Sequence, residues 1–145
     1  MPGTVEAEDY DLGGSGIAYS DTTAGNAGAV YRSDNVDVWA YLVEGGGYLV
    51  GTTAAGEWLE YTVDVATAGS YTLDLRVANG STNSRQVRVL MDGVDITGPM
   101  VVTSTGGWNT WTTISKTVNL NAGQQVMRLQ IDSGSVNINW IGVTP

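Results

Sequence analysis

Glu57-Trp58-Leu59-Glu60-Tyr61-Thr62-Val63-Asp64-Val65 decides the fold class. Leu59, Tyr61, Val63 and Val65 fall on one face of an extended chain, and Trp58, Glu60, Thr62 and Asp64 fall on the other. Side chains alternate across a strand with period two, so this is a half-buried β-strand. The same pattern follows Ala68-Gly69-Ser70, where Tyr71, Leu73, Leu75 and Val77 alternate with Thr72, Asp74 and Arg76. It recurs in Val87, Val89 and Met91, which lead into the turn signal Asp92-Gly93, and in Met127, Leu129 and Ile131. Segments 114–120 and 136–143 complete the set, and no segment carries a helical period. Short strands separated by turns at regular spacing predict an all-β, antiparallel β-sandwich or barrel. The stretch from Asp11 to Ala29, with Gly13, Gly14, Gly16, Gly25 and Gly28, reads as loop-rich.

The chain has 145 residues and fits one domain, 1–145, with no repeat or linker. Its folded surface should be roughly 7,000 Å², enough for a core that needs no disulfide. Cysteine and histidine are both absent. That removes thiol nucleophiles, thiolate metal sites and the commonest general base. Fifteen acidic against six basic residues, net −9, argue against nucleic acid and anionic membranes, whose partners carry basic patches. Hard cations and neutral ligands remain open. Met1-Pro2-Gly3 leads directly into Thr4-Val5-Glu6, so Met1 reads as an expression start on a module cut from a longer chain.

Chemistry-bearing patterns are few. Glu57 and Glu60 stand three apart, on opposite faces of a strand, and Asp92 and Asp95 sit at a turn; neither pair makes an acid–base couple. Glu6 and Glu8, at i and i+2, would share a strand face, either as a solvated acidic edge or around a cation. Five Trp and seven Tyr against no Phe favour flat faces with a polar handle. In Gly106-Gly107-Trp108-Asn109-Thr110-Trp111 an extended chain would turn one indole out and the other in. Tyr31 and Trp108 lie beside glycine-rich loops and read as binding residues; Trp58, Trp140 and Tyr61 lie inside strands and read as packing. Asn137 and Asn139 occupy a strand, where Asn is depleted.

Taken in order, several segments resemble a family 6 carbohydrate-binding module. They are Glu6-Ala7-Glu8-Asp9-Tyr10, Ala29-Val30-Tyr31-Arg32, Val36-Asp37-Val38, Gly56-Glu57-Trp58-Leu59-Glu60-Tyr61, Gly69-Ser70-Tyr71, Gly107-Trp108-Asn109-Thr110-Trp111 and Asn137-Ile138-Asn139-Trp140-Ile141. The resemblance implies a jelly-roll, galactose-binding-like sandwich. It implies no catalysis, and monomeric, secreted binding of β-linked polysaccharide near chain ends, with a glycoside hydrolase attached in cis. β-1,3-Glucan or agarose is favoured, and xylan or cellodextrin is possible. Tyr31 and Trp108 would be the walls of a slot, with Trp111 buried, Asn137 at the floor and Asp21 assisting. Glu6, Glu8 and Asn139 would hold a structural Ca²⁺, completed by carbonyls near Gly25 to Ala29. Some relatives use a second cleft on a sheet face; Asp74, Arg76, Arg88 and Arg128 with Trp39 or Trp58 would form it here, but a salt-bridged face is the expectation. A small glycoside hydrolase and a calcium-stapled adhesion domain are the rival readings.

Overall fold

The computed structural model describes residues 1–145 and contains twelve strands and no helix. In chain order they are β1 (Gly3–Glu6), β2 (Tyr19–Ser20), β3 (Val38–Ala40), β4 (Tyr48–Val50), β5 (Trp58–Val65) and β6 (Gly69–Ala78). Then follow β7 (Arg85–Met91), β8 (Val94–Asp95), β9 (Met100–Val102), β10 (Thr112–Leu120), β11 (Gly123–Ser133) and β12 (Asn137–Thr144). One sheet runs β10-β6-β12-β4-β3, with β1 also paired to β12. The other runs β2-β5-β11-β7-β8, with β9 also on β7. All their strand pairings are antiparallel, and the two sheets enclose one core.

The period-two reading holds. Leu59, Tyr61, Val63 and Val65 of β5 are buried against Leu73, Leu75 and Val77 of β6 and Val87 and Val89 of β7. Leu129 of β11 lies opposite Leu59 on one side and Val89 on the other, so the apolar faces are in register. The solvent-accessible surface is 6555 Å², close to the expectation from chain mass.

Two local departures matter for function. The Gly106–Trp111 stretch is a turn preceding β10, not a strand, so facing does not follow from spacing; Thr110 N–H donates to the Gly107 carbonyl at 3.3 Å. In β12 the register against β6 slips between Ile138 and Trp140, which leaves Asn139 as the extra residue of a β-bulge. Ile138 and Asn139 are consequently both buried, and Asn137 and Asn139 do not share a face as they would in a regular strand.

Candidate functional site

A cleft of about 490 Å³ opens where β3, β4 and the start of β12 meet the loop before β10. Trp39, Leu42, Leu49, Thr52, Trp108 and Asn137 line it, with Asn109 and Ser135. No charged residue does. Trp39 comes from β3, opposite Leu49, and its indole N–H donates to Thr52 Oγ1 at 3.1 Å. Asn137 stands opposite Ala78, beside the 79–84 loop, and its Nδ2 donates to the Trp108 carbonyl at 2.9 Å. Thr105 N–H and the Asn79 carbonyl, 2.9 Å apart, join the loop carrying Trp108 to that same loop. The two indoles remain 40% and 41% exposed, at Trp39 and Trp108.

Two glycines make this approach possible. A Cβ on Gly80 would sit 2.7 Å from three atoms of the Trp108 ring, so the indole lies directly on the Gly80 backbone. A Cβ on Gly51 would lie 2.8 Å from Asn137 Oδ1 and 3.1 Å from Trp39 Cδ1. Gly80→Ala is therefore expected to push the Trp108 ring off its seat and weaken ligand binding by about tenfold with the fold retained. Isothermal titration beside a thermal melt checks this, and unchanged affinity would show that the ring's seat is irrelevant.

The structure brings together Trp108 and Asn137 of the expected set, but not Tyr31 or Asp21. Tyr31 does not line the cleft. Its ring packs on Tyr48 with centroids 4.6 Å apart, and its hydroxyl donates to the Asp9 carboxylate, a bond that raises the phenol's pKa. Asp21 accepts from Thr23 N–H and Oγ1, both at 2.8 Å. It borders a separate void of about 10 Å³ among Val36, Val50, Leu59 and Ile131, too small for a sugar, and burial raises its pKa. The second indole of the cleft is Trp39, which the sequence reading placed only in a hypothetical second site. In Val36-Asp37-Val38-Trp39, Val36 and Val38 point to the core and Trp39 outward, but Asp37 is buried too, so alternation alone does not mark Trp39 as presented. Trp111 is half-buried, edge-on to Tyr41 with centroids 5.0 Å apart.

The second-cleft set is corrected by topology. Asp74 and Arg76 belong to β6, while Arg88 and Arg128 belong to the opposite sheet. Each arginine is engaged: Arg76 with Glu44, Arg88 with Asp95 and Asp132, Arg128 with Glu60. The Arg128 guanidinium also lies 3.8 Å over the Trp58 ring and occupies the face a sugar would need.

Glu6 and Glu8 do not share a strand face, because β1 ends at Glu6 and Glu8 lies in the turn beyond it. Glu6 is exposed and Glu8 is 5% exposed. Glu8 Oε2 is buried without a hydrogen-bond partner, and burial, with Glu6 and Asp9 nearby, pushes its pKa up to about 7. Glu6 pairs with Trp140, next to the bulged Asn139, and Ala7 N–H donates to the Asn139 carbonyl at 2.8 Å. No three Asp, Glu, His or Cys side chains converge anywhere, so a cation here would need amide and carbonyl oxygens to complete its shell. An orphaned, buried carboxylate in a turn whose Ala7 N–H binds the backbone of the buried Asn139 fits such an ion.

A β-sandwich whose uncharged cleft exposes two indoles beside an amide has the form of a sugar-binding module. The chain belongs to the carbohydrate binding module (family 6) family, which it matches over residues 6–145. Among solved structures it is similar to the module of Cellvibrio mixtus lichenase 5A in complex with cellotriose, 30% identical, with TM-score 0.76 and coverage of 99% of this chain and 97% of that one. It is also similar to the C-terminal module of a marine laminarinase from Zobellia galactanivorans, 30% identical, with TM-score 0.75 and coverage of 98% of both chains. Among curated proteins it is 38% identical over 69% of its length to the clotting factor G alpha subunit of Tachypleus tridentatus. It is 32% identical over 94% of its length to a 1,6-alpha-glucosyltransferase of Sporosarcina globispora. The chain spans only 15% and 10% of those two proteins.

Proposed function

We propose that the Trp39–Trp108–Asn137 cleft binds a neutral, β-linked polysaccharide near a chain end. The observation that carries this reading is a cleft with two half-exposed indoles, an amide and a hydroxyl and no charge. Pyranose rings offer flat C–H faces to indoles and hydroxyls to amides. Within this reading β-1,3-glucan or agarose is favoured; xylan and cellodextrin remain within reach of the same cleft. A similar module is seen with cellotriose, and similar segments occur in a laminarinase, xylanases and a β-agarase. The module would act outside the cell, as a monomer, holding a hydrolase attached in cis on insoluble substrate and raising its effective concentration there. Glu6, Glu8 and Asn139 would hold a structural Ca²⁺ whose charge neutralises the buried carboxylate.

The test is a glycan-array screen of the chain beside Trp108→Ala. Binding to one class of neutral β-glycans that disappears in the variant supports the reading, and silence across the array removes it. Because no charged group lines the cleft, affinity should change less than about twofold between roughly 0.05 and 0.5 M salt. A steep decline, measured by titration calorimetry, would mean that ionic groups carry the binding.

A further inference from the structure

The β3–β4 hairpin ends in a loop from Tyr41 to Gly47 that borders the cleft. Leu42, in this loop, lines the cleft and is 82% exposed. The loop around it is tied down. Glu44, with left-handed backbone at φ 51°, accepts from the Tyr41 hydroxyl at 2.7 Å and from Arg76 through Nε at 3.1 Å and through Nη2. Arg76 Nη1 also donates to Thr113 Oγ1 at 3.2 Å. Tyr41 is 2% exposed and meets Trp111 edge-on, three residues beyond Trp108. One cluster, Arg76–Glu44–Tyr41–Trp111, therefore clasps both loops that bound the cleft. The clasp buries Tyr41 against Trp111, yet the leucine it holds in place stays in water and gains no core packing there.

We propose that Leu42 is a specificity-determining binding residue, forming an apolar subsite for the second sugar ring of a neutral β-linked glycan whose first ring lies at Trp39 and Trp108. Glu44 and Arg76 are positioning residues that hold it there. The inference rests on the reading of the cleft given above. It explains why so polar a ligand class would need a leucine at the mouth: the ring's C–H face needs an apolar neighbour, and a branched side chain on a fixed loop discriminates linkages that turn the second ring away.

The experiment is calorimetric titration of the parent chain, Trp108→Ala, Leu42→Ser and Glu44→Gln with glucose, laminaribiose and laminaritriose, and with cellobiose and cellotriose. The parent should gain affinity from one ring to two. Leu42→Ser, an exposed change that leaves the fold intact, should lose about five- to tenfold on the di- and trisaccharides and leave glucose unaffected. Glu44→Gln should reduce the same length-dependent gain without changing binding of glucose, which a merely structural role would not do. If Trp108→Ala loses binding while Leu42→Ser follows the parent at every length, the subsite is overturned and the cleft stands. If Trp108→Ala binds as the parent does, or no sugar binds the parent, the cleft reading falls and the subsite with it.

Discussion

Trp108→Ala should reduce glycan affinity on the order of a hundredfold while the melting temperature moves by no more than a few degrees. The asymmetry follows from what the side chain touches. Its indole is 41% exposed and rests on backbone at Gly80, so its removal opens no cavity in the core. The loop keeps its other anchors, because Asn137 binds the Trp108 carbonyl and Thr105 binds Asn79, and alanine retains that carbonyl. Exposed changes of this kind cost about 0.5–1 kcal/mol, equivalent to roughly 2–4 °C in a chain of this size. Stacking on one aromatic face is worth about 1–3 kcal/mol, judged from nucleic-acid bases. Short glycans bound at millimolar to micromolar levels have only roughly 4–8 kcal/mol in total, so a hundredfold loss, about 2.7 kcal/mol, removes between about a third and two thirds of it. Trp39→Ala should be comparably severe. Tyr31→Ala should leave affinity within about twofold, because Tyr31 is engaged with Tyr48 and Asp9 outside the cleft. Titration calorimetry on the three variants decides among the walls. Loss at Tyr31 with retention at Trp39 would restore the slot that the family resemblance implies and displace the one the structure shows.

That contrast shows how far the sequence could be read. Facing is a local property, so the buried sets of β5, β6, β7 and β11 were legible from period-two alternation alone. Which sheet a strand joins is not local. Asp74 and Arg88 both point outward by alternation, yet β6 and β7 lie in different sheets, and no pattern along the chain says so. The bulge at Asn139 was hidden for the opposite reason. Asn137-Ile138-Asn139-Trp140 alternates regularly in sequence, and only the pairing with β6 inserts the extra residue that buries Asn139 while Asn137 stays at the cleft. Trp108 and Asn137 came from the resemblance together with residue type. Trp39 was passed over because a strand of three residues carries too little pattern to distinguish a packed indole from a presented one. Leu42 lies in a loop of left-handed residues whose course is set by the distant Arg76, which hydropathy cannot foretell.

The second large effect is expected at Glu8. Saturating Ca²⁺ should raise the melting temperature of the parent chain by about 5–10 °C, and a chelator should reverse it. Binding to the folded state alone, at a hundred times the dissociation constant, adds about 2.7 kcal/mol, and a chain of this size gains roughly 2–4 °C per kcal/mol. Glu8→Gln should abolish the response. The same variant should melt at or above the parent in chelator, and this reversal separates an ion site from a merely buried acid. Glu8 Oε2 has no hydrogen-bond partner, and burial and its acidic neighbours disfavour its charged form. An unpaired buried carboxylate is a cost that a cation turns into a gain, and an uncharged amide of the same shape carries a smaller cost and forgoes the gain. Asn139, 7% exposed in the bulge, would supply the neutral oxygen. Ala7, between the two glutamates, binds both the Asn139 carbonyl and the Tyr61 hydroxyl, at 2.8 Å each. An ion at Glu8 would therefore brace the first strand against the last, at the bulge that separates Asn139 from Asn137. Scanning calorimetry with calcium and with chelator measures both arms. A parent chain indifferent to calcium, with Glu8→Gln less stable than it in chelator, would make Glu8 a structural acid and remove the ion.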